Sequence, residues 1–200
     1  MNLDYIELFN LKTNNIKPDI GRILISEPFT VDEIFKRSVV LLTQYSSKKG
    51  AMGFILNKPV PYQDINPKLQ EEFGGREINI SIGGPVELDN LFYLYKSDNE
   101  IIENSIEISP NLYIGGDYLQ FRTAIIKKII PIKNVKFFFG YSGWSAGQLE
   151  TEIENNFWLV KKFKAMDIFT SDKDMWANQI KQLEDKYKIW TIVPEDPRVN

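Results

Sequence analysis

"VKFFFGYSGWSAGQLETEI", residues 135–153, passes from an apolar run into three glycines and then into a charged, helix-forming segment. "VKFFFG" reads as a central strand and "SAGQLETEI" as a helix start, so the residues between them form either a site or a bend. Gly140, Gly143 and Gly147 stand in G-x-x-G-x-x-x-G spacing. That is neither the dinucleotide fingerprint nor a P-loop, because no Lys-Ser/Thr follows the last glycine. It is not a nucleophile elbow either, since Trp144 stands where G-x-S-x-G needs its second glycine. Helix-start chemistry explains more. Ser145 suits the N-cap, Gln148 completes a capping box, and Trp144 with Leu149 makes a hydrophobic staple. Glu150 and Glu152 complement the helix dipole and oppose a phosphate there. Capping leaves "GYSG" unexplained.

The strand-to-helix passage fits a wider pattern. "GRILISEPF" (21–29) reads as a strand ending near Pro28, and "SVVLLTQY" (38–45) as a strand buried on both faces. "SSKKG" turns it into "AMGFILNKP" (51–59), giving a hairpin with a longer loop. "INPKLQEEF" predicts a short helix with Asn66 as N-cap and Pro67 at its first position. "INISIGGP" and "LFYLYKS" read as strands. "GGDYLQFRTAIIKKI" predicts a helix capped by Asp117, with Leu119, Ala124 and Ile125 inward and Lys127 and Lys128 in its last turn. "NFWLVKKF" is a later strand. "DKDMWANQIKQLEDKY" is a final helix with Met175, Ile180, Leu183 and Tyr187 on its core face. Asp172 and Asp174 ahead of it read as caps. Strands occur both as hairpins and in alternation with helices. The expected fold is therefore α+β, a single domain with a mixed, partly antiparallel sheet flanked by helices over residues 21–200. Residues 1–20 read as an N-terminal extension packing on it.

Composition narrows the chemistry. The 200 residues contain no histidine and no cysteine, which excludes a Cys/His zinc site, a cysteine nucleophile and a histidine base. No hard-metal spacing such as D-x-D-x-D-G appears, and the sequence calls for no metal and no cofactor. Ser46 and Lys49 have S-x-x-K spacing but fall in the hairpin loop, where no desolvated lysine is expected. The net charge is −3, with lysines and arginines scattered in pairs such as Lys36–Arg37 and Lys161–Lys162. Such a surface focuses no field. Duplex DNA is expected to bind directly no tighter than roughly 10⁻⁴–10⁻⁶ M at physiological salt, which an anisotropy titration measures. No apolar run approaches the roughly 20 residues of a membrane span, and no signal peptide is evident. The expectation is a soluble, cytoplasmic protein with no membrane partner.

"GAMGFILNKP", "IGGPVE" and "GYSGWSAGQLETEIENNFWL", in this order, resemble the YqgE/AlgH family of bacterial proteins. The similarity runs from about Gly21 through Trp158, and "PEDPRVN" at the end resembles relatives too. The resemblance implies an α/β-type fold with mixed sheets, a cytoplasmic location and a transcriptional-regulator label linked to alginate synthesis, without a settled activity. Many relatives have a histidine where Tyr45 and Tyr95 stand here, so a histidine-based mechanism does not carry over. The expected role is regulatory, through binding a small molecule or a protein. A carboxylate- or metal-dependent enzyme and a direct DNA-binding regulator are the alternatives.

The candidate site rests on three apolar strands that end in small residues: Asn57–Lys58–Pro59, Gly83–Gly84–Pro85 and Gly140–Trp144. Glycine lets the backbone approach a ligand or another strand closely. If the three ends share an edge, Asn57 offers an amide, Gly83 and Gly84 free N–H groups, Ser142 a hydroxyl, and Tyr141 with Trp144 an aromatic wall. Otherwise the glycines only permit tight turns.

Overall fold

The structure, a computed structural model, describes residues 16–163, 168–169 and 174–192. Most of the N-terminal extension, Asp172 and "PEDPRVN" lie outside them. Nine strands run as β1 (Arg22–Ser26), β2 (Val39–Ser46), β3 (Gly50–Ile55), β4 (Ile80–Ile82), β5 (Val86–Lys96), β6 (Ile106–Ser109), β7 (Leu112–Ile114), β8 (Val135–Trp144) and β9 (Trp158–Lys162). Among the described residues the helices are α1 (Pro67–Glu72), α2 (Tyr118–Ile126), α3 (Gln148–Glu154), α4 (Met175–Lys181) and α5 (Asp185–Lys188). The sheet order is β6-β7-β5-β8-β3-β2-β1-β9, and β4 also pairs with β8. That β4–β8 pair is parallel and the others are antiparallel. The mixed α+β expectation holds.

Local sequence signals account for several elements. Asn66 Oδ1 accepts from Lys68 N–H at the start of α1, with Pro67 next. Asp117 Oδ1 accepts from Gln120 N–H at the start of α2. The β2–β3 hairpin pairs Tyr45 with Ala51 and Leu41 with Phe54. Along β1 and β2 successive side chains enter opposite faces: Ile23, Ile25, Val39 and Leu41 join one apolar cluster, and Leu24, Val40 and Leu42 another. Burial on both sides is why these strands read as unbroken apolar runs.

Two expectations change. Leu119 is 71% exposed, and the inner face of α2 is Phe121, Ala124 and Ile125. Phe121 reaches the core in its place, stacked on Tyr93 at 3.8 Å. The last helix is two short ones with a 3-10 turn over Ile189–Ile192 behind them. With that break, Met175, Ile180, Tyr187 and Trp190 are all buried. Asp174 does stand at the N-cap position of α4.

β8 organises the molecule. Its first half, Val135–Phe139, lies between β4 and β5, pairing Phe137 with Ile80 and with Tyr93. Its last residues, Ser142–Trp144, pair instead with Gly53–Ala51 of β3. Beyond Gly53 the strands diverge and β4 fills the gap, tied to β3 by Ile55 N–H donating to Gly83 O at 2.9 Å. Among the described residues no helix is long and apolar enough to cross a membrane.

Candidate functional site

Of the sequence-predicted site residues, Gly83, Gly84, Tyr141 and Ser142 meet at this branch point and pack on one another, while Asn57 and Trp144 take their hydrogen-bond partners elsewhere. Gly140–Trp144 is the continuing end of β8, with a positive φ of 68° at Gly140 where the pairing with β5 shifts register. Gly83 N–H donates to Phe139 O at 2.8 Å, and Gly83 O accepts from the Ser142 hydroxyl at 2.9 Å. A Cβ on Gly83 would fall 2.3 Å from Gly140 O, and one on Gly84 2.3 Å from Tyr141 C and O. These glycines allow strand to approach strand, and no room for a ligand remains between them. Asn57 is used likewise. Its Oδ1 accepts from Val39 N–H at 2.9 Å and its amide donates to Arg37 O at 2.8 Å.

Tyr141 and Trp144 form no common wall. Tyr141 packs edge-on to Phe92 at 5.7 Å beside the cluster of Phe54 and Phe138. Trp144, three residues on, belongs to the cluster of Leu149 and Trp158. Side chains alternate along a strand, so residues an odd number apart face opposite sides. Of the six proposed ligand-binding residues, Trp144 alone opens onto a hollow of about 520 Å³.

That hollow, of about 520 Å³, lies where the segment after β1, the end of β8, α3 and the turn before β9 meet. Phe35, Trp144 and Trp158 form its aromatic corner: Phe35 stands edge-on to Trp158 at 5.6 Å, and Trp144 to Trp158 at 6.0 Å. Glu152 fixes both indoles, since its Oε2 accepts from Trp144 Nε1 at 2.8 Å and from Trp158 Nε1 at 2.7 Å. Gln148 donates to its other oxygen at 2.9 Å. Glu27, which also lines the hollow, accepts from Phe29 N–H at 2.6 Å and from the Thr30 hydroxyl at 3.0 Å. Burial pushes the Glu27 carboxyl above the usual carboxylate range, with these hydrogen bonds opposing the rise. Trp190 also lines the hollow, and its buried indole N–H meets no acceptor among the described residues. Three of the chain's four tryptophans thus converge here.

Sequence reasoning missed Phe35, Trp158, Trp190, Glu27 and Glu152 as a group. In the sequence Glu152 reads only as a dipole charge, although it stands one turn after Gln148, within reach of Trp144.

The cap also differs in detail. The N-cap residue of α3 is Gly147, with φ of 75°, and not Ser145. Half of the expected box is present, as Ser145 N–H donates to Gln148 Oε1 at 3.0 Å. Trp144 and Leu149 share their apolar cluster as the staple requires. The bond uses the Ser145 backbone, so Ser145→Ala should change stability by less than about 0.5 kcal/mol, whereas Gln148→Ala should cost about 1 kcal/mol. Denaturant melts of the two variants measure the contrast.

Tyr45 and Tyr95 have structural partners. Tyr45 donates to Glu150 Oε1 at 2.8 Å, and burial with that carboxylate beside it pushes its hydroxyl up to about 12. Tyr95, buried, donates to Ser105 Oγ and accepts from Ile102 N–H.

Comparison with known proteins agrees with the fold and with the motifs. A UPF0301 protein of Cytophaga hutchinsonii is 40% identical over 181 residues, covering 90% of this chain and 98% of that protein. A UPF0301 protein of Bacteroides thetaiotaomicron is 39% identical over 201 residues, covering both in full. Among solved structures, a protein from Corynebacterium diphtheriae aligns with a TM-score of 0.74 at 22% identity, over 93% of this chain and 97% of that one. The solution structure of AlgH from Pseudomonas aeruginosa aligns with a TM-score of 0.66 at 25% identity, over 91% and 98%. Residues 23–188 match the AlgH-like family, DUF179. With relatives this similar along nearly the whole chain, the protein belongs to the AlgH-like family.

Proposed function

We propose that the chain is a regulatory binding protein of the cytoplasm that takes a small organic molecule in the aromatic hollow. The observation carrying this reading is a hollow of about 520 Å³ whose indoles are held in place by Glu152. Its size falls in the range of roughly 300–1,000 Å³ typical of ligand pockets. A pre-set aromatic lining binds without first ordering its own side chains, which favours affinity. The transcriptional-regulator label that the resemblance brings fits an indirect route, with occupancy passed to a partner protein. Native mass spectrometry of the protein purified from its own host tests the reading. A retained small molecule, lost in a folded Trp158→Leu variant, is expected. Ligand-free protein that no metabolite fraction stabilises against heating would contradict it.

A second reading, an enzyme acting through carboxylates, has one observation in its favour. Glu27 combines a raised carboxyl with a place in the same hollow, a combination that general acids share.

A further inference from the structure

We infer that the aromatic hollow recognises an alkylated ammonium group, a cation with a poorly hydrated apolar surface, held among Glu27, Glu152 and the Trp144–Trp158–Phe35 corner. This rests on the binding reading above and adds the ligand's chemical class. Among the described residues the lining contains three carboxylates, Glu27, Asp32 and Glu152, and no lysine or arginine. None of the three is ion-paired among the described residues. A cation entering the hollow is attracted by these carboxylates, more strongly where the walls exclude water.

The aromatic walls select among cations. A metal ion or a primary ammonium is strongly hydrated and needs several oxygen ligands in exchange for its water. Here two carboxylates already spend acceptor positions, Glu152 on two indoles and Gln148, and Glu27 on Phe29 and Thr30. Phenyl and indole rings attract an alkylated ammonium through their quadrupoles and contact its methyl groups at a smaller desolvation cost than a primary ammonium incurs.

Isothermal titration with three matched probes tests the inference: choline, its neutral isostere 3,3-dimethylbutan-1-ol, and ethanolamine. Choline is expected to bind at least about tenfold tighter than either. Glu27→Gln, which keeps an acceptor for Phe29 N–H, should shrink choline's advantage over the neutral alcohol several-fold. Equal binding of the alcohol would overturn the cationic class while leaving the binding reading intact. Equal binding of ethanolamine would overturn the requirement for alkylation. Should choline fail to bind at millimolar concentration, the inference falls, and co-purification then decides the binding reading separately.

Discussion

Gly84→Ala is expected to cost more than about 4 kcal/mol, enough to leave little folded protein at 37 °C. The added Cβ would sit 2.3 Å from Tyr141 C and O and 2.4 Å from Ser142 N. Those are main-chain atoms of β8, fixed on either side by the pairings of Tyr141 with Val86 and of Ser142 with Gly53. The clash therefore cannot be relieved by rotating a side chain. Gly143→Ala is the control. Its Cβ meets only the Tyr141 ring, at 3.2 Å, so a loss of no more than about 1 kcal/mol is expected. Equal, small losses in both variants by denaturant melts would contradict the branch-point account of these glycines.

Lys136→Met should stabilise the protein by about 2 kcal/mol at pH 7. Lys136 is buried near the start of β8, and its ammonium donates to Leu56 O at 2.8 Å with no carboxylate partner among the described residues. Burial brings its pKa down from 10.5 to about 8, which corresponds to about 3 kcal/mol against the charged form. The sign follows from proton binding. Below pH 8 the folded and unfolded chains both hold the proton, and the penalty is complete. Between pH 8 and 10.5 the unfolded chain holds a proton that the folded chain has released, so stability rises with pH. The wild type should therefore gain on the variant across that window, and the difference should be smallest near pH 10.5. Methionine keeps the apolar stem, and Leu56 O retains the Ser81 hydroxyl at 3.4 Å, which limits the loss from the missing hydrogen bond. A variant less stable than wild type at pH 7 would mean that the ammonium bond to Leu56 outweighs its desolvation.

What the sequence revealed was governed by distance along the chain. Asn66 with Pro67 and Asp117 with Gln120 cap their helices through neighbours two or three residues away, so composition announces them. The β2–β3 hairpin is equally local. The branch at Gly83 is different. Whether a glycine faces a ligand or another strand depends on a parallel pairing between residues 80–82 and 137–139, which no local pattern encodes. The small residues stand out in the sequence, and the structure packs Gly83 and Gly84 against main-chain atoms of β8. The hollow was less legible still. Phe35, Trp144 and Trp158 are separated by more than a hundred residues at the widest, and each reads locally as core. Glu152 carries the one signal within reach, a carboxylate near two tryptophans on either side of a helix.

The central claim, that the hollow binds and the glycine joint only builds, is tested most directly by nuclear magnetic resonance of the ¹⁵N-labelled protein during titration with a small-molecule fragment library. The four tryptophan indole N–H signals and the amides of Gly83, Gly84 and Tyr141 report on the two places separately. The account predicts that bound fragments move the indole signals of Trp144, Trp158 and Trp190 together, while Trp176 and the glycine amides hold still. Fragments that shift the amides of Gly84 and Tyr141 and leave those three indoles unmoved would contradict it.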